Sequence, residues 1–485
     1  RLLVPELADY RRDIESAASE ALGRQVSIAR IEATWRDMGP VLKLKNVAIG
    51  SQEDGPQRLE IREIWVSVDV EHYLAEQELR FSGIAIIGAD LTLVRDASGR
   101  LSIDGLTGDG GDAAGLSGLS GLADMQRLSL HESSVTINDQ QTGEPPRRFT
   151  GVSFSIINKG YLHAVTGYAL LPPELGYRLD VEAELYGRGD QLRDWQGRVY
   201  VQGQSLLLDA GNARHLPQDV AVGGIADARL WMDVAAASVT SVSGEIDAHD
   251  FRLEHLGAEQ TYAFTADRVS GQFGWERTAG GWQFAVQRFL LRQGDRTWET
   301  ENLSLASRRA EGGEYLNGEA AHITMDGLGA LLPVIPGLEV EQRSQLAALQ
   351  PRGRIRDLQF VIELAPEAAR VSWFTARFFG LGIEQSGPFP FIAGLDGEVT
   401  GNQTAGRLQL DSHYAGIKDA RLFRDVLPID RAQGEIRWQT SGEQLEIGSD
   451  ALLVSNQDMS LQGRFAAVIP LTEAAPVLNL QLDIE

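Results

Sequence analysis

Apolar side chains recur at every second position along most of the 485-residue chain, and this is the period of a β-strand. The segment with Ile64, Val66 and Val68 shows the pattern clearly. Strand-like runs follow one another from Val26 to the end of the chain, and many of them begin after a glycine and a polar residue, as at Gly244 and Gly271. The pattern predicts a mainly β protein built as a repeating meander.

Three segments depart from this period. Residues 5–22 carry apolar side chains at spacings of three and four, with Gly23 directly after them, which predicts an N-terminal amphipathic helix. Residues 107–123 are rich in glycine and serine and predict a loop, and residues 326–350 predict a helical or irregular insert. We therefore divide the chain into an N-terminal segment, a loop, a first β segment, the insert and a second β segment, at 1–106, 107–123, 124–325, 326–350 and 351–485.

Several local expectations are specific enough to be tested. A strand over 81–87, a bend at Gly88 and a second strand over 89–95 are predicted, followed by a turn at 96–99. A short helix is predicted over 72–79. No strand is predicted between Lys159 and Gly176, and a single strand is predicted over 395–411.

The predicted strands carry more apolar surface than the few predicted helices can cover. A long sheet of this kind must curl on itself or hold an apolar ligand. We therefore predict an elongated, curled antiparallel β-sheet groove, trough-like, with an apolar lining and a charged exterior.

The candidate lining is the apolar parity of each strand, although a register slip of one residue would reverse the face. The candidate positions that would contact such an apolar ligand are Val66, Val68, Ile84, Ile86, Leu91, Leu93, Leu179, Val181, Leu206, Leu208, Phe251, Leu253, Phe273, Trp275, Phe360 and Ile362.

Composition and motifs argue against several classes of function. Lys plus Arg is 44 and Asp plus Glu is 68, and the resulting net charge of −24 disfavours nucleic acid as a partner. The chain has no cysteine, and the common nucleotide-binding, zinc-protease and serine-hydrolase motifs are missing. The histidines are scattered and are interpreted as surface or rim residues. No catalytic residue, metal or cofactor is predicted, and the chain is not expected to be an enzyme.

Several segments resemble the YhdP branch of the AsmA-like envelope proteins. They are residues 2–23 with the strands up to Val47, the Ile87-Gly88 strand with its Arg95-Asp96 turn, and the segments around Gly397 and Gly434. The resemblance implies a bridge-like periplasmic phospholipid transporter of bacteria, anchored to the inner membrane by a helix upstream of Arg1 and carrying lipid towards the outer membrane. It also implies that this chain is the membrane-proximal part of a longer protein.

Two other classes of function remain open at this point. The chain could be a scaffold or assembly factor that binds strands of outer-membrane proteins along sheet edges. Outer-membrane or envelope proteins are candidate partners in either case. An envelope glycosidase is the third hypothesis, but the sequence does not identify its carboxylate pair.

Overall fold

The computed structural model describes residues 11–36, 39–50, 58–69, 76, 81–104, 125–188, 194–209, 219–257, 260–310, 313–326, 329, 331–334, 340–364, 369–386, 390–419, 424–470 and 477–484. The chain divides into two compact units. The first unit holds residues 1–207 and 227–242, and the second holds residues 208–226 and 243–485. The division passes through strands β11 (Val220–Ala235) and β12 (Ser238–Leu256).

The first unit opens with a helix, which a series of strands follows. The helix α1 spans Arg11–Leu22. The strands are β1 (Val26–Arg36), β2 (Gly39–Ile49), β3 (Leu59–Val68), β4 (Phe81–Arg95), β5 (Leu101–Ile103), β6 (Arg127–Asp139), β7 (Arg147–Lys159), β8 (Leu162–Leu170), β9 (Arg178–Tyr186) and β10 (Gln196–Leu208). Consecutive strands pair antiparallel, except that β4 pairs with β6 in parallel while β5 lies on β4.

Helix α1 covers one end of this sheet. Ile14 and Ala18 pack against a buried cluster that includes Ile28 and Val47. The β1 strand has α1 beside it: the Val26 amide donates to Ser19 Oγ at 2.8 Å, and the Ile28 amide donates to Glu15 Oε1 at 2.7 Å. These bonds satisfy amides of β1 that its partner β2 does not use, so α1 protects this strand from pairing with another chain.

The apolar alternation shifts by one residue at a column of left-handed backbone positions. Asn46, Gly88 and Glu132 have φ values of 50°, 66° and 46°. A residue in this conformation interrupts the extended backbone that sends successive side chains to opposite faces. As a result Ile86 and Ala89, which are three residues apart, both belong to or pack against one cluster. At Gly88 a side chain would also meet Arg62 Cβ at 2.9 Å, so glycine suits both the conformation and the close approach.

The second unit is an antiparallel meander in which each strand from β13 onward pairs with the next. The strands are β13 (Thr261–Thr278), β14 (Gly281–Gln293), β15 (Arg296–Ala310), β16 (Gly313–Thr324), β17 (Arg352–Leu364), β18 (Ala369–Ile383), β19 (Phe391–Gly401), β20 (Ala405–Lys418), β21 (Leu427–Ser441), β22 (Gln444–Ser455), β23 (Ser460–Pro470) and β24 (Val477–Ile484). Between β16 and β17 lie a 3₁₀ turn (Leu332–Val334) and the helix α2 (Val340–Leu349).

The buried core of the second unit lies where this insert meets the sheet. Phe264, Leu291, Trp298 and Val334 are each at most 4% exposed and form one cluster. Burying a side chain of this size contributes about 1.5–3 kcal/mol relative to leaving it in water. The 3₁₀ turn is therefore part of the packed core of this unit.

The predicted fold class is confirmed: the described chain is mainly β, its sheets are antiparallel meanders, and an amphipathic helix comes first. Three local predictions are wrong. Residues 81–95 form one strand, because Gly88 changes the face without ending the strand. The strand β8 lies where none was predicted, and its small residues weaken the alternation. The predicted strand over 395–411 is two strands, because the Asn402 side chain accepts from the Thr404 and Ala405 amides and closes a turn.

The remaining predicted segments have other outcomes. The turn at 96–99 is confirmed by the Asp96 side chain, which accepts from the Ser98 and Arg100 amides. The insert at 326–350 is helical in its described part. The predicted short helix at 72–79 and the loop at 107–123 lie outside the described residues, apart from residue 76. The division of the chain into five segments stays a prediction.

Candidate functional site

The strand register of the first unit builds two unbroken apolar rows across the sheet. In each row every residue stands directly opposite the next, from β1 to β10 with β5 left out. Row one is Ala33, Leu42, Val66, Ile84, Leu128, Ile156, Val165, Ala183 and Val199. Row two is Ile31, Leu44, Ile64, Ile86, Leu130, Phe154, Gly167, Val181 and Val201. At about 4.8 Å per strand, each row extends for about 40 Å.

The opposite face of the same strands is predominantly polar. One row there reads Glu32, Lys43, Trp65, Ala85, Ser129, Ser155, Thr166, Glu182 and Tyr200. Side chains on this face form ion pairs and hydrogen bonds with one another. Lys45 Nζ lies 2.8 Å from Glu32 Oε2, and the Ser129 and Ser155 hydroxyls lie 3.0 Å apart. The sheet of the first unit therefore has one apolar and one polar face.

Six of the ten predicted lining residues on β3, β4, β9 and β10 lie in or beside these rows. Val66 and Ile84 are opposite each other in row one, while Ile86 and Val181 belong to row two. Leu179 stands opposite Gly203, and a side chain at Gly203 would lie 2.5 Å from Leu206 Cδ1, so the structure brings Leu179 and Leu206 together.

The other predicted residues of β3, β4 and β10 lie away from the two rows. Leu91 packs against the buried cluster, and Leu93 stands opposite Ile103 of β5 and Ile137 of β6. Val68 follows a register shift and stands opposite Phe81. Leu208 ends β10 at the division between the two units.

The second unit has a corresponding apolar row that crosses all its strands from β13 to β24. Row three is Trp275, Phe284, Leu305, Gly318, Phe360, Phe374, Gly401, Gly406, Trp438, Ile447, Ala467 and Leu478. It extends for about 50 Å at the usual strand spacing. A row on the other face reads Ala285, Ser304, Glu319, Gln359, Thr375, Thr400, Arg407 and Arg437, so this sheet is also apolar on one side.

Four of the six predicted residues on β12, β13 and β17 lie in or near row three. Trp275 and Phe360 are members of it, and the Phe273 and Phe284 ring centroids lie 6.3 Å apart. Ile362 stands opposite Leu316. Phe251 and Leu253 instead pack against the buried cluster beneath the insert. All sixteen predicted residues are half-buried, so each is covered by neighbours on its sides and leaves part of its surface open.

Most members of row three, including Phe284, Phe374 and Trp438, were not predicted as lining residues. The available signal was the pairing of glycines with aromatic residues. A side chain at Gly318 would lie 2.1 Å from Phe360 Cζ, and one at Gly406 would lie 2.2 Å from Trp438 Cζ2. These rings therefore lie across a neighbouring glycine, which keeps them close to the sheet.

The insert covers one end of the apolar face in the second unit. Pro333 and Val334 are buried, and Leu331 packs on the cluster that includes Phe264 and Trp298. Arg343 of α2 is 2% exposed and donates from Nη1 to the Pro333 carbonyl oxygen, which ties the helix to the 3₁₀ turn. Row three lies about 20 Å further along β14, because seven residues separate its member Phe284 from the covered Leu291.

Many of the polar groups in the described residues are engaged in structural contacts. No cluster of three or more His, Asp or Glu side chains with metal-binding geometry occurs in this part of the chain. The Arg268 guanidinium donates to Asp247 at 2.6 Å and 2.8 Å, and this holds the pKa of the Asp247 carboxyl below its usual value. The interpretation of the histidines as surface or rim residues is wrong for His163 and His255, which are 8% and 9% exposed; the His163 ring stacks on Trp195 with the ring centroids 4.1 Å apart.

The chain is similar in sequence to a known protein along almost its whole length. The chain is 21% identical over 480 residues to a protein of Escherichia coli (strain K12) described as intermembrane phospholipid transporter YhdP. That match covers 97% of this chain and 37% of the relative, so the chain spans little more than a third of the protein it resembles. No solved structure matches the chain. None of the helices in the described ranges has the length and apolar character needed to cross a membrane.

The family assignment rests on the full length of the sequence. The family model described as YhdP protein matches residues 1–485, which include both units and all three apolar rows. The chain therefore belongs to the YhdP family.

Proposed function

We propose that this chain is a segment of an intermembrane phospholipid transporter and that its apolar rows hold the acyl chains. The observation that carries the proposal is the continuity of the rows: no polar side chain interrupts any of them. An acyl chain moving along such a row exchanges one apolar neighbour for another. It therefore meets no step at which it must be transferred to water.

The half-buried state of the lining fits this role better than it fits a closed core. A closed core buries its large apolar side chains nearly completely. The sixteen predicted positions are instead partly open, and of the large apolar side chains in the three rows only Leu44 and Leu130, which belong to the cluster next to α1, are buried. Partly open apolar surface on one face of a sheet is the kind of surface that binds an apolar ligand.

The proposal includes the setting in which the chain acts. The relative is described as an intermembrane transporter, so we place this chain in the periplasm, as part of a protein that is anchored to the inner membrane. Phospholipids are its cargo, outer-membrane or envelope proteins are its candidate partners, and no covalent chemistry is involved. Fractionation of the complete tagged protein should place it with the inner membrane, and recovery with the outer membrane alone would contradict the anchor.

Strand addition to client proteins has no comparable support. The Val26 and Ile28 amides, which an added strand would need at β1, already donate to α1 side chains. Lipid binding is therefore the better supported of the two functions.

The test is native mass spectrometry with organic extraction on the chain purified from bacteria. We expect several phospholipids per chain. The double variant Val181→Arg with Leu305→Arg places one charge in each unit's apolar face and should lose half or more of the lipid, because a buried guanidinium must keep its hydration. The control is Thr166→Arg with Ser304→Arg, which adds the same two charges on the polar faces; Thr166 stands opposite Glu182, the neighbour of Val181.

The control should keep the wild-type lipid content. Circular dichroism of each variant confirms that the sheet is still formed. A wild-type chain that carries no lipid, or an equal loss in the two double variants, would contradict the proposal.

A further inference from the structure

A cavity of about 530 Å³ lies at the tips of two neighbouring hairpins in the second unit. One hairpin joins β13 to β14 and the other joins β15 to β16. The turn residues 278–281 form one side, and Trp275, Arg277, Trp282, Ser307, Arg309 and Glu314 supply the side chains. We call this cavity the rim pocket.

The rim pocket continues the apolar face. Phe273, Trp275 and Arg277 alternate along β13, so they share one side of the strand. Arg277 stands opposite Trp282, and Trp282 stands opposite Ser307 of β15, with Arg309 two residues further on the same side. The pocket therefore begins at Trp275, a member of row three, and its other lining residues on β13 and β14, Arg277 and Trp282, lie two residues, about 7 Å along the strands, from Trp275 and Phe284.

The charges in the rim pocket are available to a ligand. Arg277 makes no hydrogen bond or ion pair with any described residue. Arg309 Nη2 lies 3.8 Å from Glu314 Oε2, which is too long for a hydrogen bond. The other Glu314 oxygen accepts from the Ser307 hydroxyl at 2.6 Å, and this bond holds the carboxylate in place.

These side chains match the chemistry of a zwitterionic headgroup. An arginine presents a planar fork of donors that suits phosphate oxygens, and two arginines flank the pocket. The Glu314 carboxylate supplies the counter-charge for an ammonium group. Trp275 and Trp282 offer an apolar ring with one polar N–H, the combination that is favoured where acyl chains meet water.

We propose that the rim pocket binds the headgroup of a zwitterionic phospholipid, with the phosphate on Arg277 and Arg309 and the ammonium near Glu314. The acyl chains then lie on the Phe273 and Phe284 rings. The inference rests on the proposed function, since it assumes that the adjoining face holds acyl chains. It adds that the headgroup fixes the position of the lipid at a defined point of the second unit.

The test uses delipidated chain and short-chain phosphatidylethanolamine below its micelle concentration, with binding followed by titration calorimetry. Short-chain phosphatidylglycerol, glycerophosphoethanolamine and inorganic phosphate are titrated in parallel. We expect the double variant Arg277→Gln with Arg309→Gln to weaken phosphatidylethanolamine binding by about tenfold or more, since tenfold is the scale of one lost charge-assisted hydrogen bond. Glu314→Gln should reduce the preference for phosphatidylethanolamine over phosphatidylglycerol.

The matched control is Arg308→Gln. Arg308 is exposed on the opposite face of β15, between Ser307 and Arg309, and it stands opposite Tyr315. It should leave all affinities unchanged. An equal loss of affinity in Arg308→Gln, or no loss in the Arg277→Gln with Arg309→Gln variant, would overturn the assignment of the rim pocket as a headgroup site. Inorganic phosphate that binds as tightly as glycerophosphoethanolamine would identify a free-phosphate site and would also overturn it.

Failure of the rim pocket and failure of the transport proposal give different results. If lipid binds but the rim variants have no effect, the headgroup assignment fails while the acyl-binding face stands. If glycerophosphoethanolamine binds in an arginine-dependent way but no phospholipid co-purifies with the chain, the headgroup chemistry stands and the transport proposal fails.

Discussion

Replacing Gly318 by alanine should force the Phe360 ring away from the sheet. The added Cβ would lie 2.1 Å from Cζ and 2.5 Å from Cε1 of Phe360, whereas ordinary contact begins at 3.4 Å. The ring must therefore move by at least 1.3 Å. Overpacking of this kind costs about 1–3 kcal/mol. The φ of Gly318 lies outside the left-handed region, so the cost comes from the ring and not from the backbone.

The cost is measurable as local opening of strands β16 and β17. We expect native-state hydrogen exchange of their amides to accelerate by an amount that corresponds to about 1–3 kcal/mol. Gly223→Ala is the control, because its nearest neighbours lie 3.8 Å away and the change should be neutral or slightly stabilising. The double variant Gly318→Ala with Phe360→Leu should recover at least half of the loss, since the shorter side chain does not reach over position 318.

This prediction also bears on lipid. A ring pushed off the sheet enters the space above row three, so Gly318→Ala should lower the amount of bound phospholipid per chain. The reasoning is refuted if Gly318→Ala behaves like Gly223→Ala in exchange, or if the two changes in the double variant simply add, because additivity would mean that the ring and the methyl group do not interact.

Three further predictions concern stability. Arg343→Met removes the donor to a carbonyl of the 3₁₀ turn and should weaken the insert by about 1–3 kcal/mol, seen as faster limited proteolysis within 326–350; unchanged proteolysis would contradict it. The pKa of Asp247 is lowered in the folded chain by Arg268, so its contribution is present above the unfolded pKa and is lost as the pH falls through the folded pKa. Acid unfolding followed by fluorescence should therefore depend less on pH in Asp247→Asn than in the wild type. Identical profiles would show that the ion pair of Asp247 with Arg268 does not contribute to stability. Glu15→Ala should speed hydrogen exchange at the Ile28 amide about tenfold, while an unchanged rate would show that α1 does not protect β1.

Much of the strand content was predictable because it depends on near neighbours in the chain. The alternation along segments such as 262–276 corresponds to the pleat of a strand, and it predicted β13 to within a few residues. Errors arose where a single residue overrode the pattern. At Gly88 a left-handed residue changes the face while the strand continues, and at Asn402 a side chain closes a turn inside an apolar run. Alternation alone contains neither signal.

The apolar rows, by contrast, follow from strand pairing. Val66 and Ile84 were predicted as lining residues one strand at a time, but their direct opposition depends on the register between β3 and β4. The rim pocket has the same origin, because Arg277 and Arg309 lie on hairpins that are thirty residues apart in the chain. Which residues become cross-strand neighbours is decided by hydrogen bonds between distant segments, and a pattern read along one segment does not contain them.

The sequence by itself determined the β class, the amphipathic helix α1, the position of the insert and the family, because these depend on local periodicity and on similarity along the chain. Only the tertiary structure decided that the apolar positions join into continuous rows, that the insert packs onto Phe264 and Trp298, and that two unpaired or weakly paired arginines meet at one rim. The physical reason is that burial, register and charge pairing are properties of contacts between segments, and these contacts exist only when the whole chain is folded.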